Sequence, residues 1–322
     1  TRQVSSAASD VYKRQIYAGT PEISISTLEA INNSSHEISL VLTMPDKISG
    51  RGKKIKEGPI KKFCKVHSLK VFQPENLKDL KDQEKISSLN PDLIVVFAYG
   101  KILPKEILNI PRLGCLNVHT SLLPKYRGAA PIQRAIFNDE RKTGLSFIKM
   151  DEGLDTGSIY KSFEIEIEEE ETSDTLSTKL SNLTSSLILQ VIDNINKNNY
   201  KLLKQNEDLA SYAVKLTKEE ALINWKQKAK EVKNMINAFC PNPGAFTHQN
   251  EERINFYKAK LSKYPATVPG EIIESSKEKL IISANDHSVQ ILELSRPGKK
   301  RMQYKDFANG SRDFFGQKNI LA

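Results

Sequence analysis

The sequence predicts an α/β protein of two domains, in which a doubly wound, mostly parallel sheet is followed by a small β-rich domain. Short apolar runs alternate with segments of helical period up to about residue 195. From about residue 245 onward, short strands separated by turns dominate instead. A length of 322 residues also fits two domains.

Continuous apolar runs predict the strands of the first domain. Strands that are buried on both faces of a parallel sheet carry unbroken hydrophobic runs rather than alternating ones. The segment "IYAGT" at 16–20 has the character of the end of a first strand. Beyond it, the predicted strands are 38–43, 69–73, 92–100, 114–119 and 144–150.

Segments of helical period predict the helices between these strands. The first is expected to begin with Thr20 as its N-cap and Pro21 at its first helical position. The last has leucines and a valine at helical spacing, which make one apolar stripe. The predicted helices are 21–33, 58–67, 104–109, 129–138 and 174–196.

The remainder of the chain predicts a linker and a second domain. The polar segment 197–213 has weak periodicity and is expected to link a first domain, 15–196, to a second, 214–322. A helix over 218–239 should be followed by short strands that form a small barrel or sandwich. These strands are expected within 253–261, 270–275, 279–284 and 288–294. Residues 1–14 are expected to be a non-native or misread segment, because charged residues stand where a first strand should begin.

Composition excludes several classes of protein. The three cysteines, Cys64, Cys115 and Cys240, are far apart and odd in number, which argues against a disulfide framework or a zinc knuckle. No apolar run approaches the roughly 20 residues of a membrane span. The net charge of +9 is concentrated, since residues 47–70 carry nine Lys or Arg against one Glu. This distribution favours a polyanionic partner, although a lysine-rich loop can also be merely solvated.

Polar residues follow two of the predicted strands. Asn117 and His119 are two positions apart at the end of 114–119, so their side chains should share one face. Asp151 and Asp155 lie in a glycine-flanked loop after strand 144–150. Because ligands bind beyond the carboxyl ends of parallel strands, we expect an amide, an imidazole and a carboxylate to converge there.

Such a set can catalyse transfer of an acyl group to an amine. The amide and a protonated imidazole can donate hydrogen bonds to a developing oxyanion, while the carboxylate orients the imidazole. No nucleophilic Ser or Cys is needed if the substrate amine attacks directly. No His, Cys or Asp cluster has metal-ligand spacing, so no metal is expected. A single histidine at a strand end can also be structural.

Five segments together resemble the methionyl-tRNA formyltransferases. They are "GTPE" at 19–22, "GRGKK" at 50–54, "NVHTSLLPKYRGAAPI" at 117–132, "MDEGLDTG" at 150–157 and "LELSRPGKKRM" at 292–302. The resemblance covers residues 16–322 nearly end to end. It implies a Rossmann-like formyltransferase domain followed by a small, OB-like β-barrel that helps to bind tRNA.

The resemblance also implies roles for individual residues. Asn117, His119 and Asp155 match the family's catalytic residues. The co-substrate would be 10-formyltetrahydrofolate, and the acceptor would be the α-amine of initiator methionyl-tRNA. The residues implied to line the folate site are Ser121, Leu122, Leu123, Pro124, Phe97, Tyr99 and Gly100. The residues implied to contact the tRNA are Arg51, Lys53 and Lys54.

Three alternatives remain. A formyltransferase could act instead on the amine of a nucleotide-sugar or a purine precursor, which the basic loop and the second domain disfavour. A non-catalytic RNA-binding protein is disfavoured by the intact Asn117, His119 and Asp155. A nicotinamide dehydrogenase lacks its G-x-G-x-x-G fingerprint here. The expected protein is a monomer in a bacterial cytoplasm, with an organelle also considered.

Overall fold

The computed structural model describes residues 14–49, 54–311, 314–316 and 319–321. The chain divides into two units that are interleaved along the sequence. The first comprises residues up to His119 together with Leu145–Ser162 and Leu180–Asn206. The second comprises Thr120–Gly144, Phe163–Lys179 and the chain from Glu207 onward.

A seven-stranded sheet organises the first part of the chain. Its described strands, together with a separate short hairpin, are β1 (Arg14–Gly19), β2 (Glu37–Leu42), β3 (Lys47–Ser49), β4 (Lys54–Lys56), β5 (Val71–Phe72), β6 (Leu93–Phe97), β7 (Cys115–His119), β8 (Lys142–Lys149) and β9 (Ile159–Glu166). The strand order is β5-β2-β1-β6-β7-β8-β9, and β3 pairs only with β4. The pairs from β5 to β7 are parallel, whereas β8 runs antiparallel to β7.

The sheet forms because its central strands are apolar on both faces. In β1, Ile16, Tyr17 and Ala18 are all buried, although successive side chains point to opposite faces. Ile16 and Ala18 join alternate residues of β2 and β6 in one hydrophobic cluster. The polar Gln15 is also buried in β1.

Most of the predicted helices are present, with shifted ends. The helices up to residue 196 are α1 (Ile25–Asn32), α2 (Pro59–Val66), α3 (Leu80–Ser87), α4 (Lys105–Leu108), α5 (Pro131–Phe137) and α6 (Ser173–Asn196). The predicted helix 21–33 begins instead as a 3-10 turn at Glu22–Ser24. Thr20 does not cap it, because the Thr20 hydroxyl donates to the carbonyl oxygen of Tyr99 at 2.7 Å. Helix α3 was not predicted, since only Ile86 of this polar segment is buried.

The second unit is built on an antiparallel sheet. Its strands are β10 (Ala245–Gln249), β11 (Glu252–Pro265), β12 (Ile272–Ser275), β13 (Leu280–Ser283), β14 (His287–Ser295) and β15 (Met302–Gln303), and its later helices are α7 (Ala229–Ala238) and α8 (Tyr304–Gly310). The order is β10-β11-β14-β13-β12, with β15 added to β14. All of the recorded pairings in this sheet are antiparallel.

The predicted helix over 218–239 is wrong in its first half. Only Ala229–Ala238 forms an α-helix, preceded by a 3-10 turn at Glu219–Ala221. Ile223 and Trp225 are both buried, and the Ile223 amide donates to the carbonyl oxygen of Phe246 at 2.8 Å. Leu222 and Ile223 pair with Phe246 as extended chain, and Trp225 lies in the turn that follows, so tertiary contacts prevail over helix propensity here.

The predicted fold class is confirmed. A Rossmann-like, mostly parallel sheet is followed by an antiparallel β-domain. Within the described ranges, no helix combines the length and the apolar character needed to cross a bilayer.

Candidate active site

Strand β7 positions two polar side chains at the end of the parallel part of the sheet. Asn117 lies opposite Val96 of β6 and Ile148 of β8, so its backbone is fixed from both sides. His119, two residues further, is opposite Ser146 and is only 6 % exposed. The alternation of side chains along a strand places Asn117 and His119 on the same face.

Asp155 lies between these two side chains in the first unit. The His119 Nδ1 is 3.5 Å from Asp155 Oδ2, and the Asn117 Nδ2 donates to Asp155 Oδ1 at 3.3 Å. One carboxylate therefore contacts both the imidazole and the amide. An amide nitrogen carries two N–H groups, and the bond to Asp155 uses one of them. The structure brings together the three residues that were predicted to be catalytic.

The loop 150–157 presents Asp155, whereas Asp151 has a different task. The Asp151 carboxylate accepts from the amide of Gly153 at 3.1 Å and from the hydroxyl of Thr156 at 2.6 Å. This side chain therefore shapes the turn. A Cβ on Gly157 would lie 1.9 Å from the carbonyl oxygen of Lys149, so the loop can close only with glycine there.

Gln205 holds the same loop from outside. Its Nε2 donates to the carbonyl oxygen of Asp155 at 2.7 Å and to that of Gly157 at 2.8 Å. Gln205 belongs to the segment 197–213 that was predicted to be a linker, and the sequence analysis missed it. No local pattern indicates it, because the contact joins residues 50 positions apart.

The predicted folate residues 121–124 belong to the second unit. Ser121 is buried and donates its hydroxyl to the carbonyl oxygen of Lys125 at 2.6 Å. Leu123 is buried, Leu122 and Pro124 are half-buried, and the bond from Leu123 to Pro124 is cis. The Ser121 side chain thus stabilises the turn. Contact of residues 121–124 with folate stays a prediction.

The predicted folate residues 97–100 end β6 in the first unit. The side chains of Phe97 and Tyr99 are buried, and Tyr99 belongs to the hydrophobic cluster beneath the sheet. Burial raises the pKa of the Tyr99 phenol to about 12, and its hydroxyl has no hydrogen-bond partner among the described residues. Gly100 has φ +88°, a conformation that favours glycine. The parts of this segment that a ligand could contact are its backbone and the exposed Ala98.

Two of the three predicted tRNA residues, Arg51 and Lys53, lie outside the described residues. Lys54 begins β4, whose backbone pairs with β3 in a two-stranded hairpin. Ile55, the next residue of β4, is strongly exposed.

Cysteine chemistry does not contribute to this site. Cys115 begins β7 but is buried, and burial raises the pKa of its thiol to about 12. A thiol with this pKa stays protonated at neutral pH and is a poor nucleophile. Across the described residues, no group of three or more His, Cys, Asp or Glu side chains is arranged to hold a metal ion.

Comparisons with known proteins identify the family. Residues 15–192 match the formyl transferase family, and residues 215–312 match the formyl transferase C-terminal domain. A methionyl-tRNA formyltransferase of Coxiella burnetii is 41% identical over 299 residues, which are 92% of this chain and 95% of that protein. The chain belongs to the methionyl-tRNA formyltransferase family. The methionyl-tRNA formyltransferases are formyl-transferring enzymes, and the predicted enzyme class is confirmed.

Solved structures of other proteins share the fold of this chain. HypX from Aquifex aeolicus in complex with tetrahydrofolic acid has a TM-score of 0.67 and 16% identity, covering 94% of this chain and 47% of that one. The chain thus spans about half the length of HypX. WlaRD, a sugar 3N-formyl transferase solved in the presence of dTDP and 5-N-formyl-THF, has a TM-score of 0.63 and 21% identity, covering 90% of this chain and 99% of that one.

Proposed function

We propose that this protein transfers the formyl group of 10-formyltetrahydrofolate to the α-amine of initiator methionyl-tRNA. The product, N-formylmethionyl-tRNA, serves the initiation of translation. The observation that carries the proposal is the contact of Asp155 with both His119 and Asn117. Family membership over both halves of the chain supports methionyl-tRNA as the acceptor.

The three side chains suit direct attack by an amine. The α-amine adds to the formyl carbon, and the carbonyl oxygen becomes an oxyanion. Asn117 and a protonated His119 donate hydrogen bonds to that oxygen, and each such donor typically contributes about 10²–10³ in rate. Asp155 orients the imidazole through their 3.5 Å contact. The intermediate collapses as the bond to the folate nitrogen breaks. The proton lost by the amine then neutralises that nitrogen.

Folate is the proposed formyl donor. Two proteins with the same fold were solved with tetrahydrofolic acid or 5-N-formyl-THF, which supports a folate site in this fold. For this chain, we propose folate contacts at the residues predicted from the sequence, 97–100 in the first unit and 121–124 in the second. Since Ser121, Phe97 and Tyr99 are buried, backbone groups, the exposed Ala98 and the half-buried Leu122 and Pro124 are the parts available to a ligand.

Charge supports tRNA as the partner. The segment 47–70, which includes Arg51, Lys53 and Lys54, carries nine positive residues against one negative residue. A cationic loop with glycines can follow phosphates near the acceptor end of a tRNA. The bacterial source of the curated relative supports a bacterial cytoplasm as the compartment, and the monomeric state remains a prediction.

The decisive experiment is a formyl-transfer assay. Purified protein is mixed with formyl-labelled 10-formyltetrahydrofolate and one of three acceptors: methionyl-tRNA, free methionine or a nucleotide-linked amino sugar. We expect label in methionyl-tRNA alone. Labelling of the amino sugar in preference would support the alternative formyltransferase, while binding of tRNA without transfer would support a non-catalytic RNA-binding protein.

A further inference from the structure

We propose that Gln205 is a positioning residue that fixes the Asp155 carboxylate against His119 and Asn117. The inference rests on the proposed function, because it assigns Asp155 a role in formyl transfer. The Gln205 side-chain amide bonds to two backbone oxygens of the loop that carries Asp155. It acts through the backbone of the loop that carries Asp155.

The loop needs external support because little packing holds it. Residues 151–154 are all exposed, including the apolar side chain of Leu154. Asp155 itself has φ +56°, a left-handed conformation that costs a non-glycine residue about 1 kcal/mol or more. Among the described residues, the Asp151 side chain bonds to Gly153 and Thr156 of the same loop, so those bonds move with it.

Gln205 supplies bonds from a separate part of the first unit. Its Nε2 uses both N–H groups, one on the carbonyl oxygen of Asp155 and the other on that of Gly157. Gln205 is anchored in turn by its neighbour Leu203, which exchanges two backbone hydrogen bonds of 2.8 and 3.0 Å with Ile159. The two carbonyl groups are thereby tied to the sheet edge on which the loop ends.

This arrangement links a backbone bond to the position of a side chain. The peptide oxygen of Asp155 and its carboxylate belong to the same residue, so rotation of the peptide displaces the carboxylate. The contacts at stake are long, 3.5 Å to His119 and 3.3 Å to Asn117, and a further shift would break them. A misplacement of about 1 Å can cost roughly 10²-fold in rate.

The primary test compares Gln205→Ala with Gln190→Ala, the same chemical change at an exposed position of α6. We expect Gln205→Ala to lower kcat by about 10- to 100-fold with KM values within about twofold, and Gln190→Ala to match the wild type. Equal kcat values for the two variants would overturn the proposal. An inactive wild type would instead overturn the proposed function.

A double-mutant cycle separates positioning from general damage. In an Asp155→Asn background, Gln205→Ala should lower the residual kcat by less than about threefold, because the group that it positions has already been disabled. If Gln205→Ala reduces kcat by the same factor in both backgrounds, Gln205 does not act through Asp155 and the proposal fails.

Gln205→Glu keeps the test decisive even if Gln205→Ala fails to fold. Glutamate has nearly the same shape, but its carboxylate cannot donate to two carbonyl oxygens. Once protonated, it can donate one O–H. The kcat of Gln205→Glu relative to wild type should therefore rise as the pH is lowered from about 8 to about 5. The assignment would be contradicted if the ratio of the kcat of Gln205→Glu to that of the wild type did not change with pH. It would also be contradicted if the two kcat values were equal at high pH.

Discussion

The guanidinium of the fully buried Arg127 forms two hydrogen bonds of 2.7 Å with the carboxylate of Glu207. Backbone bonds reinforce this ion pair, since the Arg127 amide donates to the carbonyl oxygen of Ser211 and the Ala213 amide donates to that of Arg127. Both partners belong to the second unit. Residues 207–213 are therefore held against the loop of the second unit that contains the predicted folate residues 121–124.

The Arg127–Glu207 pair predicts a pH-dependent contribution to stability. Hydrogen bonding from Arg127 lowers the pKa of the Glu207 carboxyl below its usual value. A carboxyl whose pKa is lower in the folded state stabilises the fold above its unfolded pKa of about 4.3, and this contribution is lost as the pH falls through the folded pKa. Glu207→Gln should therefore lower Tm at neutral pH. At acidic pH, the Tm of the variant should lie closer to that of the wild type.

The check on that pair is thermal unfolding of wild type and Glu207→Gln across the acidic range. Glu29→Gln on α1 is the control, because Glu29 is exposed and has no ion pair recorded among the described residues. A Tm difference for Glu207→Gln that does not shrink toward low pH would show that the buried Arg127 does not depend on this carboxylate.

The catalytic assignments predict large losses of rate with little loss of tRNA binding. Asn117→Ala should lower kcat by about 10²–10³, the usual effect of removing one oxyanion donor. His119→Ala and Asp155→Ala should each abolish measurable formyl transfer. Steady-state kinetics and a filter-binding assay measure the two properties. Retention of wild-type kcat by Asp155→Ala would remove the carboxylate from the mechanism.

The basic loop predicts a salt-dependent contribution to tRNA use. Replacing Arg51 and Lys53 with Ala should raise KM for methionyl-tRNA and leave KM for the formylfolate near the wild-type value. If each residue neutralises one phosphate, a plot of the logarithm of the tRNA binding constant against the logarithm of the salt concentration should become less steep by about 0.7–0.9 per residue. Unchanged efficiency on methionyl-tRNA at every salt concentration would exclude this loop from the interface.

Gly157 predicts a steric limit on the Asp155 loop. An alanine Cβ would lie 1.9 Å from the carbonyl oxygen of Lys149, so the backbone must shift. Overpacking of this kind costs about 1–3 kcal/mol, and formyl transfer should fall because Asp155 moves with the loop. Gly310→Ala is the matched control, since its Cβ would meet no atom within 4 Å. The measurements are the free energy of unfolding in denaturant and kcat for both variants. Equal values for the two variants would contradict the prediction.

Gln15 predicts a stabilising substitution. It is 1% exposed in the central strand β1, and neither its Nε2 nor its Oε1 has a hydrogen-bond partner among the described residues. Burying an unpaired amide costs about 1–3 kcal/mol by mutational measures. Gln15→Leu should raise the free energy of unfolding by a comparable amount in urea denaturation, whereas Gln15→Glu should lower it. A destabilised Gln15→Leu would mean that water or another group serves the amide.

The convergence of Asn117, His119 and Asp155 could be predicted from the sequence because it follows from a general property of parallel sheets. Strand ends meet at one edge, so polar residues that follow two apolar runs become neighbours. Gln205 could not be predicted in this way, since an amide in a polar segment carries no periodic signal. Its partners are defined only when Leu203 pairs with Ile159.

Errors in the fold prediction have a related cause. The segment before α7 has good helix formers, but the Ile223 amide bonds to Phe246 and the buried Trp225 packs against Phe256. Helix propensity differs among ordinary residues by less than about 1 kcal/mol each, whereas burying a large side chain contributes about 1.5–3 kcal/mol. Tertiary burial therefore decided the structure of this segment.

Interleaving of the two units restricts how parts of this chain can be recombined. Helix α5 lies far upstream of the C-terminal sheet, yet it packs with α7, where the rings of Phe137 and Phe239 are 5.9 Å apart. Arg134 of α5 also pairs with Glu220. A chimera that exchanged only the portion after residue 214 for that of a relative would keep one side of this interface and replace the other. Grafting the tail therefore requires redesigning α5 with it.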